Sequence, residues 1–135
     1  MKEQLLETLE NSRQYTLQVA TMMPEKLYDF RPVDTVWNFR ELMHHIAYGI
    51  QWWEANYIKG IETAWDPTPV KKKKQEIIDY LEQAYEALAK TIHSIKPEPA
   101  AVKGFYTTLD HITHHRGQAT LHLRYNEIEP PEYRY

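Results

Sequence analysis

A four-helix bundle of the all-α class is expected from three features of this chain. Its eight prolines fall in four groups: Pro24 with Pro32, Pro67 with Pro69, Pro97 with Pro99, and Pro130 with Pro131. Proline lacks the amide hydrogen and fixes φ, so it is expelled from helix interiors. The stretches between the groups run to about twenty to thirty residues and carry apolar side chains at helical spacing. Sustained period-two alternation is missing, and Val and Thr are concentrated nowhere, so strands are not expected.

The first helix is expected over about Lys2 to Met23, with Leu5, Leu6, Leu9, Leu17 and Met22 on one stripe. The connection from Pro24 to Trp37 has room for one extra helical turn. Asn38 is placed to cap the second helix, with Glu41 reaching back in an Asn-x-x-Glu version of the capping box. That helix should end near Gly60, and Ile61 to Thr68 joins it to the third. The third is expected to begin around Pro69, a residue suited to the first helical position, and carries Ile77, Ile78, Tyr80, Leu81, Ala84, Tyr85, Leu88 and Ile92 on its apolar face. The fourth is entered through Thr107 or Thr108 and runs to about Asn126. With no repeat, low-complexity tract or internal boundary, residues 1–135 are expected to form one domain.

A chain of 135 residues removes roughly two-thirds of its unfolded surface from water, so neither disulfide nor structural metal is needed merely to fold it. Hydrophobic residues at 42% and charged residues at 26% exclude a disordered chain. Sixteen basic against nineteen acidic residues give a net charge of −3, which argues against general nucleic-acid binding. No apolar run approaches the ~20 residues that span a bilayer, and the polar Met1–Gln4 start is no secretory signal. A cytoplasmic protein without membrane contact is expected. The absence of cysteine excludes disulfides, thiolate metal sites and cysteine nucleophiles together. Seven histidines remain, unevenly spread, and chemistry is to be sought there.

In the fourth helix, His111 and His115 stand four residues apart, about 6 Å along one face, a spacing that can grip one ion. Winding at ~100° per residue puts His111, His114, His115, Gln118 and His122 in one arc between apolar shoulders, so the imidazole stripe faces inward. Such a stripe is costly unless its nitrogens find partners, and a metal ion satisfies several at once. A third ligand must come from another helix. His45 shares its side of the second helix with Leu42, Gly49 and Trp53, whereas His44 sits with Arg40 and Gln51, so His45 is the better choice. Three neutral imidazoles with an open position describe a catalytic site for zinc, and nickel, iron or manganese are also compatible.

Each of these residues also has an ordinary reading. His111 and His115 can be interior rings bonded to carbonyls, His114 and His122 groups behind the ligands or at the rim, and His93 a complement to the dipole of the third helix. His44 is expected to be solvated and Arg116 to be a surface charge. Gln118 reads as a buried amide orienting an imidazole. Trp52 and Trp53 read as core or pocket wall, and Lys71 to Lys74 as a solvated helical turn.

The segment His111-x-x-x-His115-Arg116-Gly117-Gln118, followed by Leu123-Arg124-Tyr125-Asn126 and Pro130-Pro131, resembles the DinB family in the DinB/YfiT-like superfamily of metalloenzymes. Phe30-Arg31-Pro32, Trp37, Glu41-Leu42, His45-Ile46-Ala47 and Trp52-Trp53 fall in the order and spacing of that family, so the resemblance covers nearly the whole chain. It implies an up-down-down-up bundle, often a homodimer, with a divalent metal held by three histidines, here His45, His111 and His115. It also implies kinship with DNA-damage- and stress-inducible proteins and with relatives that transfer low-molecular-weight thiols such as bacillithiol, mycothiol or glutathione to electrophiles.

The leading expectation is a metal-dependent transferase or hydrolase acting on a small-molecule substrate between the second and fourth helices. The metal would serve either thiol transfer or the activation of water. Ile112 stands where a zinc protease carries the Glu of His-Glu-x-x-His, so proteolysis is not expected. No catalytic residue is assigned, and His114, Tyr48 and Glu41 are candidate proton acceptors. The alternative is a metal-binding stress-response module without catalysis. A haem bundle is disfavoured because His111 and His115 share one helix face, and a di-iron carboxylate site because no Glu-x-x-His occurs on these helices.

Overall fold

Four helices form between the proline groups: α1 (Lys2–Met22), α2 (Phe39–Trp53), α3 (Lys74–Ser94) and α4 (Pro99–Tyr125). The computed structural model describes residues 1–135 and contains no strand. A short 3₁₀ turn, Glu25–Leu27, occupies the first connection, and a π-helical turn, Glu54–Ile58, extends α2 to the expected end near Gly60.

The first two helices start where expected, at Lys2 and after Asn38, whereas the starts of α3 and α4 depart from expectation for identifiable reasons. Asn38 caps α2 by accepting from the Glu41 amide at 2.8 Å, but Glu41 does not close the box, because its carboxylate pairs with Arg31 at 2.7 Å. The third helix starts at Lys74 rather than around Pro69. Side chains of α2 take the backbone groups a longer helix would use: His44 binds the Thr68 carbonyl and the Lys71 amide, and Arg40 donates to the Lys72 carbonyl. Lys71 to Lys73 therefore precede the helix instead of forming its first turn. The fourth helix starts at Pro99, well before Thr107, since proline at the first position lacks only an amide that would go unbonded there. Gly104 then sits inside α4 without breaking it. A Cβ there would lie 2.2 Å from the Tyr57 carbonyl oxygen, so glycine is what lets α4 approach the π turn.

Cross-helix pairs give the topology directly. Tyr85 of α3 meets Thr16 of α1 while Lys74 reaches the Thr21 carbonyl and Lys2 the His93 carbonyl, so α1 and α3 are antiparallel. His44 lies against Tyr80 and Glu54 against Thr91, so α2 and α3 run parallel. His122 reaches Trp37 and Gly104 meets Tyr57, so α2 and α4 are antiparallel. The order is up-down-down-up. The parallel pair requires a long return, which the extended segment 59–73 supplies. Fifteen residues at ~3.3 Å each exceed the ~30 Å length of α2 and its π turn.

The core is filled by large side chains from every helix, among them Leu5, Phe39, Met43, Ile46, Leu81, Tyr85, Phe105 and Ile112. Arg116, expected at the surface, is only 3% exposed. Its guanidinium lies 4.6 Å from the Tyr15 ring centroid and 5.8 Å from that of Tyr133, and Nη1 donates to Thr16 Oγ1 at 3.1 Å. Two aromatic faces and hydroxyl acceptors stand in for a carboxylate partner, and they tie α4 to α1 and to the C-terminal segment.

Candidate metal centre

The antiparallel crossing of α2 and α4 brings one turn of each helix face to face, and three imidazoles meet there. His45 Nε2 lies 3.0 Å from His111 Nε2 and 3.1 Å from His115 Nε2, and the three rings offer nitrogens that all lie within 4.8 Å of one another. Hydrogen bonding does not account for this arrangement. A ring nitrogen presents either one N–H or one in-plane lone pair, so His45 Nε2 can satisfy one of its two neighbours but never both. A cation accepts all three lone pairs at once. Nitrogens each ~2.1 Å from a tetrahedral ion lie ~3.4 Å apart, a few tenths of an ångström from the observed spacings. The donor set therefore fits a divalent metal such as zinc.

Neighbouring groups hold each ring. His115 Nδ1 is 2.9 Å from Gln118 Oε1, which can only accept, so the proton sits on Nδ1 and the Nε2 lone pair is free. Gln118 does so from an exposed position, not the buried one expected. His111 fits against Gly49, where a Cβ would come within 2.4 Å of its Cε1, and its buried Nδ1 has no partner. The His45 ring is flanked by Trp37, with centroids 4.6 Å apart, and by Trp65 at 5.5 Å.

Burial pushes the His45 and His111 rings down to about 4, their imidazole neighbours adding repulsion, and lowers His115 as well. All three are neutral at pH 7, the form that ligates metal. The unfolded chain takes up protons near the ordinary value of 6.5 while the folded rings resist until about 4. The metal-free protein is accordingly expected to keep its full stability above about pH 6.5 and to lose it progressively toward pH 4. The loss is on the order of 1 kcal/mol each for His45 and His111 once solvent screening at these part-buried positions is allowed for. Thermal melts of metal-free protein across this range check the sign.

Other expected residues find different places. His44 is buried at 3% exposure rather than solvated, because both ring nitrogens bind backbone of the 59–73 segment: Nε2 lies 3.1 Å from the Thr68 carbonyl, and Nδ1 accepts from the Lys71 amide at 3.3 Å. Replacing His44 by Ala is expected to leave metal content intact and to cost about 2 kcal/mol of stability. A loss of metal equal to that caused by His45→Ala would show that the wrong neighbour was chosen. His122 is buried rather than at the rim, with the Gln118 and Trp37 carbonyls each 2.9 Å from one ring nitrogen. His114 is exposed, its ring 4.8 Å from that of His115, and His93 lies exposed in the last turn of α3.

Neither of the other two candidate proton acceptors is free. Glu41 is bound to Arg31, and the Tyr48 hydroxyl accepts from the Asp66 amide at 2.7 Å. Trp53 forms wall beside His111, with centroids 5.9 Å apart, and Trp52 packs on Trp65. Trp65 escapes sequence reasoning, because it lies in an irregular segment without periodicity that would mark its side.

A family model of the DinB superfamily matches residues 8–123. The chain belongs to the DinB superfamily. A DinB-like protein from Bacillus cereus ATCC 10987, known from a crystal structure, superimposes with a TM-score of 0.80 at 18% sequence identity, over 96% of this chain and 95% of that one. At this identity the likeness shows the fold alone. Among curated proteins nothing matches. The DinB superfamily is associated with metals, in keeping with the three-histidine group. No helix of this member is long and apolar enough to cross a membrane.

Proposed function

We propose that this protein is a divalent-metal-dependent enzyme in which His45, His111 and His115 are the ligands, and that it transfers a low-molecular-weight thiol to a small electrophile. The observation that carries this reading is the single Nε2 of His45 facing two other imidazole nitrogens at 3.0 and 3.1 Å, a cluster that only a shared cation satisfies in full. Bound there, zinc, nickel, iron or manganese supplies Lewis acidity that makes a thiol or a water nucleophilic near neutral pH.

Two further features favour transfer. A cavity of about 450 Å³ opens beside the His115 ring, as an enzyme needs and a passive metal store does not. No carboxylate belongs to the cluster, and with Glu41 and Tyr48 engaged elsewhere only the exposed His114, its ring 4.8 Å from that of His115, is left as a base for hydrolysis. A thiol needs less help to ionise than water does. Since the chain has no cysteine, that thiol must arrive as a diffusible cosubstrate. The reading takes the whole chain as one cytoplasmic domain, working as a homodimer.

The test is consumption of bacillithiol, mycothiol or glutathione with a panel of electrophiles, with and without added metal. Metal-dependent adduct formation is expected. Ester cleavage without thiol use would assign hydrolysis instead. A chain that binds one equivalent of metal and is inert throughout would be a non-catalytic, stress-inducible metal binder.

A further inference from the structure

We propose that the groove beside His115, walled by Val33, Val36, Trp37, Leu121 and Tyr125, is the subsite for an uncharged aromatic electrophile, and that the thiol cosubstrate does not occupy it. The inference rests on the metal-centre reading above and adds the substrate class to it.

The groove collects apolar surface that a monomer ordinarily scatters. Val33 and Leu121 are each 55% exposed and Tyr125 is 65% exposed, yet all three line this one cavity with Val36 and Trp37. Its lining contains no Asp, Glu, Lys or Arg, although charged residues make up 26% of the chain. An ionised tail lying along this wall would therefore leave water without finding a fixed counter-charge there, whereas an aromatic ring gains from burial. Glutathione and bacillithiol carry carboxylates, for which this wall holds no Lys or Arg.

The wall is also built in advance. Arg31 Nη1 donates to the Val36 carbonyl at 3.1 Å, the Val36 amide donates to the Val33 carbonyl at 3.3 Å, and His122 Nε2 lies 2.9 Å from the Trp37 carbonyl. Three bonds thus hold the 31–37 loop in place without a ligand, which removes an ordering cost from binding. The groove is continuous with the candidate centre, since the Trp37 ring packs 4.6 Å from His45 and 5.8 Å from His115. Where the groove meets His115, the exposed Gln118 uses Oε1 for that ring and leaves its amide nitrogen to donate to a carbonyl or nitro oxygen on the ligand. The occupant that fits is a neutral aromatic bearing such an acceptor.

The experiment uses cobalt(II)-loaded full-length protein, with its visible absorption read during titration by acetohydroxamic, benzohydroxamic and 4-carboxybenzohydroxamic acid. The three share a metal-binding head and differ in the tail offered to the groove. Benzohydroxamate should bind about tenfold more tightly than acetohydroxamate, the gain of burying a ring partly rather than wholly. The carboxylated analogue should lose that advantage. In Leu121→Asp and in Val33→Asp, both exposed positions, the preference should fall to near unity while cobalt is still taken up at one equivalent.

Equal affinities for the first two probes, or a preference that survives both variants, overturns the proposal. So does a wild-type dimer that Leu121→Asp converts to monomer without altering the preference, since the groove is then a contact between copies. Failure to take up cobalt at all, read separately by elemental analysis, defeats the metal-centre reading and this inference with it.

Discussion

Replacing His111 and His115 together by Ala is expected to abolish stoichiometric metal. The cluster needs three convergent nitrogens, and His45 alone has neither the affinity nor the geometry to hold an ion against water. Elemental analysis after dialysis reads the result, and retention of one full equivalent defeats the ligand assignment. Stability supplies an independent check. Metal that binds only the folded state adds about 2.7 kcal/mol at a hundredfold excess over its dissociation constant, so the wild-type protein should melt higher when metal is added and the double variant should not. Without metal the comparison changes character. Burial and the neighbouring rings hold His45 at about 4, and removing two of those neighbours returns it toward the ordinary value. The metal-free variant should therefore be less sensitive to acid than the metal-free wild type between pH 6.5 and 4, the opposite of what generic damage to the fold would produce.

Gly49→Ala is expected to separate metal affinity from folding. Glycine inside α2 is disfavoured by propensity, and alanine there would ordinarily stabilise by up to ~1 kcal/mol. Here the added Cβ would lie 2.4 Å from His111 Cε1 and 2.8 Å from Nδ1, well inside contact distance. The obstructed atoms belong to a side-chain ring rather than to backbone, so the helices need not part. His111 rotates instead, and its Nε2 leaves the position 3.0 Å from His45 Nε2. The variant should fold with a melting temperature near that of the wild type and bind metal on the order of 10- to 100-fold more weakly, the size of effect seen when groups that orient a ligand are disturbed. Wild-type metal affinity in a folded Gly49→Ala protein would show that the His111 ring is not held where the cluster requires it. Gly104 makes a contrast, since its obstructing atom is the Tyr57 carbonyl and alanine there must displace a helix.

The helices and the three-histidine group were legible in the residues because both depend on local periodicity. Proline spacing bounds four segments, and 3.6-residue winding decides which side chains share a face. That winding alone separates His45, beside Gly49, from its neighbour His44, and puts His111 over His115 on one turn. It explains less about His44 and Arg116. His44 shares its helical side with Arg40 and Gln51, and Arg116 stands between His115 and Gly117, so local pattern puts both in water. The structure buries each at 3% exposure, because their partners come from distant segments: Thr68 and Lys71 for His44, and Tyr15, Thr16 and Tyr133 for Arg116.

The same limit governs the helix starts. Whether the backbone of residues 68–72 is helical depends on which groups satisfy its amides and carbonyls, and side chains of α2 satisfied them first. Trp65 reaches the His45 ring from that irregular segment, which carries no helix to set its side. Composition and spacing thus settled the number of helices, the apolar face of α3 and the three imidazoles facing inward, all of which follow from interactions within a few turns of chain. In α1, by contrast, the expected Met22 is 39% exposed and Tyr15, Val19 and Ala20 are buried instead. The meeting of those imidazoles at one point, the tryptophans around them and the uncharged groove beside them were decided by tertiary packing, since each needs atoms from segments that one-dimensional periodicity does not relate.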